Sequence, residues 1–141
     1  MKTQIKPYRH KVQYYETDQM AIVHHSNYIR WFEEARVDYM DQMGYGYKRM
    51  EEEGIVSPVI SVQAEYKSMT RFGETVGIEV KVLQFNGVKL TLGYHIYDSE
   101  TNELRCQGNS EHCFIDKEGK FVSVKRAKPE FYQCMKNTIE I

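Results

Sequence analysis

The sequence has little of what usually assigns a chain to a class by composition alone. It has no long apolar run, and its opening MKTQIKPYRHKVQYYE mixes charges and aromatics throughout. That pattern predicts neither a secretory signal nor membrane insertion. Three prolines in 141 residues, with no Pro/Ser-rich stretch, repeat or low-complexity tract, offer no domain boundary, so residues 1–141 are expected to form one domain. Cys106, Cys113 and Cys134 are an odd number without metal-ligand spacing; this argues against a disulfide scaffold and for a reducing, cytoplasmic setting. Charge of one sign is missing too. The 19 basic and 20 acidic residues leave a formal net charge of −1, without the basic excess of a nucleic-acid-binding surface. An anionic ligand would have to be met by a local cluster of cations. What the chain does have is aromatic surface: 13% of its residues are aromatic and eleven of these are Tyr, a composition suited to a globular protein whose aromatic faces are half wet.

Hydrophobic spacing divides the chain into one long helix and a series of strands. Tyr28, Phe32, Ala35, Tyr39 and Met43 recur at steps of three and four, widened by Trp31 and Met40, and predict a helix over 27–43. Ser26 is a candidate N-cap and Gly44 a candidate stop. A short second helix is expected over 47–53, closed by Gly54. Strands are expected over 8–15, 57–70, 75–85, 88–98 and 103–115, with a short final one at 120–124 and a C-terminal helix over 128–136. Val76, Ile78, Val80 and Val82 alternate with polar or small partners, Asn86-Gly87 is a hairpin signal, and Leu90, Leu92, Tyr94 and Ile96 fall on one face of the return strand. Consecutive strands with short turns pair antiparallel, and an amphipathic helix needs a sheet to bury its stripe. The expected architecture is therefore α+β, a curved antiparallel sheet of about five or six strands wrapped around one long central helix.

The segment YYETDQMAIVHHSNYIRWFEEAR, from Tyr14 to Arg36, carries the chemistry. It resembles the signature of the 4-hydroxybenzoyl-CoA thioesterase family of hotdog proteins, including the Tol-Pal-associated acyl-CoA thioesterases. In that signature an aspartate (here Asp18) precedes a turn, an apolar pair (Ile22-Val23), a His (His25) and an Asn-Tyr (Asn27-Tyr28) that opens the central helix. The stretch EYKSMTRFGE resembles the family's second recognisable region. The resemblance implies the hotdog fold and hydrolysis of an acyl-CoA thioester, with Asp18 as nucleophile or general base and the main-chain N–H of His25 as oxyanion donor. It also implies a homodimer or homotetramer with the active site at the subunit interface, and no cofactor. The family commonly has Gly where this chain has Ala21, and an alanine fits such a turn without strain only at negative φ.

The chemistry is consistent in its own right. Thioester hydrolysis needs a group to attack or activate water and donors for the developing oxyanion, and a helix N-terminus offers unpaired N–H groups at a positive dipole end. The His25 imidazole is a candidate to orient thioester or water. Tyr14 and Asn27 are candidates to shape the substrate site, against the plainer readings of strand packing and helix cap. Lys67, Arg71 and Lys89 are candidates for the phosphates of CoA, against the reading of solvated charges. His24-His25 raises the question of a metal, but no third ligand stands at helical spacing. Cys113 as a nucleophile is set against its reading as a small buried apolar residue. Two other functions remain open: an acyl-carrier-protein thioesterase and a non-catalytic module that binds acyl thioesters. The acyl group is undetermined, because pocket depth depends on how residues of two subunits meet.

Overall fold

A computed structural model describes residues 3–139. Five strands, β1 (Tyr8–Lys11), β2 (Val59–Tyr66), β3 (Thr75–Phe85), β4 (Lys89–Asp98) and β5 (Leu104–Cys113), form one sheet in the order β1-β3-β4-β5-β2, with every neighbouring pair antiparallel. The helices are α1 (Ser26–Gln42), α2 (Tyr47–Glu52), α3 (Val124–Ala127) and α4 (Pro129–Lys136).

Helix α1 runs for 17 residues and buries the stripe its spacing predicts: Tyr28, Trp31, Phe32, Ala35, Tyr39 and Met40 are all in the core. It does not begin with a side-chain cap. His25 is the cap residue and already has helical angles, and Ser26 Oγ instead lies 2.9 Å from His24 Nδ1. The helix stops where expected, at Gly44, whose φ of +95° takes the chain into the left-handed region. Opposite the stripe, Leu90, Leu92, Tyr94 and Ile96 alternate into the same core. Phe32 stacks on Tyr94 with ring centroids 4.3 Å apart. The contact is so close at the neighbouring strand that a Cβ on Gly108 would stand 3.0 Å from the Phe32 ring and 2.1 Å from the Gln63 carbonyl oxygen. Only glycine fits between that helix and that strand.

Two expected strands are much shorter than their sequence pattern, and a third does not form. The 8–15 run leaves the sheet after Lys11 and closes into a 3-10 turn at Tyr14–Glu16. The 57–70 run is in the sheet only from Val59 to Tyr66; beyond it, Thr70 turns back, and its carbonyl accepts the N–H of Val23 at 2.8 Å. The 120–124 run makes no strand, and only Phe121 bridges to Ile115. Strand β2 ends the sheet, and its side chains are mostly exposed.

Candidate active site

Asp18 sits at the start of a tight loop. Its N–H donates to the Ile22 carbonyl at 2.9 Å, its carbonyl accepts from Ala21 N–H at 3.0 Å, and a bridge between Thr17 and Val23 closes the base. Its Oδ1 accepts the Met20 N–H at 2.8 Å, an Asx turn. The other carboxylate oxygen has no partner among the described residues, and the side chain is half-buried. Asp18 follows Thr17 directly and His25 follows Val23 by two residues, so closing the loop base holds both near the start of α1.

Ala21 does not meet the strain-free condition. Its φ is +64°, the conformation that a glycine serves at no steric cost. The loop nevertheless closes on its hydrogen bonds, so it holds an L-residue where the left-handed region costs roughly 1–2 kcal/mol. Glycine's larger unfolded-state entropy returns part of this. Ala21→Gly should therefore raise stability by roughly 0.5–1 kcal/mol in urea unfolding, and an equal or lower midpoint would show that the loop carries no such strain.

Helix α1 begins at the same place. The Asn27 and Tyr28 N–H groups reach back to the His24 and His25 carbonyls, and Ser26 N–H meets His24 Nδ1 at 3.2 Å. The His25 N–H has no acceptor among the described residues. The His24 and His25 rings stack at 4.2 Å and are exposed; Tyr66, at the end of β2, lies edge-on to His25 at 6.0 Å and donates its hydroxyl to the His25 carbonyl at 3.4 Å. Burial, with Cys106 as a lesser cause, raises the Tyr66 pKa, so its hydroxyl stays protonated and able to donate at neutral pH.

The other sequence candidates divide by position. Asn27 is buried, and its amide donates to the carbonyls of Glu16 at 2.9 Å and His24 at 3.3 Å, so here it ties the loop to the helix. Tyr14 is 76% exposed and lies edge-on to Phe72 at 5.6 Å, on the rim of the Asp18 loop. Arg71, between Thr70 and Phe72, is exposed, and its guanidinium has no acid partner among the described residues. Lys67 pairs with Glu65 at 2.9 Å and Lys89 with Glu111 at 3.1 Å. Lys89 stands across from Cys113, whereas Tyr66 stands across from Cys106, about 23 Å along the strand at roughly 3.3 Å per residue. Arg71 is therefore near the loop and Lys89 is at the other end of the sheet. Among the described residues no group of three or more His, Cys, Asp or Glu side chains is placed to hold a metal ion.

Two features of the surroundings were not among the sequence candidates. One is Glu16, buried beneath the loop with three N–H donors on its carboxylate. Burial alone would raise its pKa, but the donors from Gln13, His10 and Trp31 outweigh that and hold it below the ordinary value. In the sequence it is one acid in YYETD, and nothing in the spacing of His10 and Trp31 marks them as its partners. The other is the string Tyr94–Ser110–His112 on the inner face of the sheet.

A helix start, a carboxylate in the loop before it and an unclaimed N–H between them are thus set together on an antiparallel sheet. The sequence pattern of the thioesterase-like superfamily matches residues 12–135, and the chain belongs to that superfamily and is a thioesterase. It is 37% identical over 123 residues to YneP of Bacillus subtilis (strain 168), provisionally named an acyl-CoA thioesterase, which covers 86% of this chain and 88% of that protein. The DHNA-CoA thioesterase of Staphylococcus aureus superimposes with a TM-score of 0.89 at 30% identity, covering 94% of this chain and 89% of that one. A protein of Aquifex aeolicus superimposes with a TM-score of 0.82 at 30% identity, covering 89% of this chain and 98% of that one. The five-stranded antiparallel sheet with its helices is thus the hotdog thioesterase fold. Among the described residues no helix is long and apolar enough to cross a membrane.

Proposed function

We propose that the protein hydrolyses an acyl-CoA thioester to a free acid and CoA, with Asp18 as nucleophile or general base and the His25 N–H as oxyanion donor. The observation that carries this reading is the free carboxylate oxygen of Asp18 and the free N–H of His25 at the two ends of one bridged loop. The thioester carbonyl oxygen sits at that N–H, where the helix dipole adds to the hydrogen bond as negative charge develops. Asp18 either attacks the carbonyl carbon, forming an anhydride that water then hydrolyses, or takes a proton from the attacking water. In both cases the CoA thiolate leaves, and a thiolate needs little acid assistance. The names of the B. subtilis and S. aureus relatives support CoA as the carrier, and Arg71 is the cation best placed for its phosphates. Tyr14 lines the entrance, and Lys67 and Lys89 reach the nucleotide only by giving up a carboxylate.

The chain works as a single hotdog domain of the 4-hydroxybenzoyl-CoA and Tol-Pal-associated type, with α1 as the central helix. Its unpaired thiols suit a reducing cytoplasm. It assembles as a homodimer or homotetramer. Strand β2 leaves an eight-residue sheet edge open, with Val59, Ile60, Val62 and Tyr66 each more than a third exposed, and such an edge is a template for pairing unless something covers it. Sedimentation should give two or four times the chain mass; a monomer at micromolar concentration would leave that edge bare and contradict the assembly. The function itself is tested with a panel of aryl, short-chain and long-chain acyl-CoA esters and a free-thiol reagent. Turnover on at least one ester supports it. Turnover only on acylated carrier protein would make the chain a carrier-protein thioesterase, and binding without thiol release a non-catalytic module.

A further inference from the structure

We propose that Glu16 is the positioning residue for Asp18, setting where the carboxylate stands relative to the His25 N–H; the inference rests on the catalytic reading above. Glu16 is 4% exposed and cannot touch substrate. Its Oε1 accepts His10 Nε2 at 2.8 Å and the Gln13 N–H at 2.7 Å, and its Oε2 accepts Trp31 Nε1 at 2.7 Å. Trp31 is fully buried on α1 and packs against the His10 ring at 4.8 Å. The side chain is therefore anchored to β1, to the 3-10 turn and to the second turn of α1 at once. The main chain of the same residue does the complementary job. Its carbonyl accepts the His24 N–H at 2.9 Å and the Asn27 amide at 2.9 Å, the two residues on either side of His25-Ser26. One residue thus grips both sides of the site, and Asp18 follows two positions later.

The donor pattern explains why a carboxylate is needed. The Gln13 main-chain N–H, the indole N–H and the His10 imidazole all donate to the Glu16 carboxylate, and a carboxylate only accepts. Glutamine has the same shape but carries an NH2. Placed at Oε1, that NH2 meets the Gln13 main-chain N–H; placed at Oε2, it meets the indole N–H. Neither partner can become an acceptor, so Glu16→Gln must shift the turn, and with it Asp18. Removing the indole donor as well, with Trp31→Phe, gives the NH2 a place to sit. Misplacement of a reacting group by about 1 Å costs up to 10²-fold in rate.

The test compares Glu16→Gln, Trp31→Phe, the double variant and Asp18→Asn in the full chain on one acyl-CoA ester, with kcat and KM taken well below each unfolding midpoint. Glu16→Gln should lose roughly tenfold or more in kcat with KM within about twofold. The double variant should recover part of that kcat although its unfolding midpoint is the lowest of the set, because the phenyl ring leaves a void. A merely structural glutamate predicts the reverse, with rate falling in step with stability. If Glu16→Gln does not fold, Trp31→Phe alone should lower kcat several-fold at constant KM, and wild-type kcat there overturns the proposal. Wild-type kcat in Glu16→Gln, with Asp18→Asn inactive, overturns the positioning role and leaves the catalytic reading standing. Wild-type kcat in Asp18→Asn removes both.

Discussion

Asp18→Asn should lower kcat by on the order of 10² or more on any acyl-CoA ester the protein turns over. The size follows from what the substitution removes and what it keeps. An amide can neither attack a thioester carbon at a useful rate nor take a proton from water, so both proposed roles are lost together. The amide oxygen can still accept the Met20 N–H in place of Oδ1, and the loop's other hydrogen bonds do not use the Asp18 side chain. The loop should hold its shape, with unfolding free energy within roughly 0.5 kcal/mol of wild type, the usual range for a site without packing change. A rate loss at unchanged stability is then chemical. His25→Ala should cost less, since the imidazole is exposed and the N–H proposed to hold the oxyanion survives. Thiol release under steady-state conditions measures both. Near-full turnover in Asp18→Asn would take the aspartate out of the reaction, and a greater loss in His25→Ala would make the imidazole the principal group.

The parts of the molecule legible in the sequence are those written by periodicity or turn chemistry. The stripe from Tyr28 to Met40 gives α1 within a residue at each end, because Tyr28, Trp31, Phe32, Tyr39 and Met40 recur at helical spacing and all are buried. The Asn86-Gly87 hairpin is there, with Gly87 at φ +92° and the Asn86 side chain accepting the Val88 and Lys89 N–H groups. Asp18 and His25 become candidates only through the resemblance, since neither stands out from the composition around it. The strand ends were not legible because contacts distant in sequence decide them. Trp31 and His10 draw Glu16 inward and bend the 8–15 run out of the sheet; Val23 takes Thr70 out of pairing. Strand β5 is the hardest case. Its inward positions are Cys106, Gly108, Ser110 and His112, set against β4's apolar Ile96, Tyr94, Leu92 and Leu90. No hydrophobic alternation marks that face as inner, so a polar string in the core goes unannounced.

That string predicts how the fold responds to acid. His112 is 1% exposed; its Nε2 lies 2.7 Å from Ser110 Oγ, which lies 2.7 Å from the Tyr94 hydroxyl, and its Nδ1 has no partner among the described residues. Burial, and then the positive charge of Arg36, push its pKa down to about 4. In the unfolded chain the imidazole titrates near its ordinary value of about 6.5. The folded state therefore prefers the neutral ring, and its contribution to stability is complete above pH 6.5. As pH falls the unfolded chain takes up the proton first, and stability drops until the folded pKa is reached. Over that interval the loss is about 3 kcal/mol, at 1.36 kcal/mol per pKa unit. The carboxylates held low in the fold act later: Glu16 and Asp98 weaken the structure only as pH falls below their ordinary values of 4.5 and 3.8. The two contributions thus occupy different windows. His112→Gln has no titrating ring, and its amide can still reach Ser110. Urea unfolding of this variant should be flat between pH 6.5 and 4.5, where the wild type loses most of its 3 kcal/mol. Both proteins should then fall together below 4.5. A wild-type profile equally flat across the upper window would mean that the imidazole is solvated or already paired, and that the inner face of β5 is not the dry, one-sided environment that its hydrogen bonds describe.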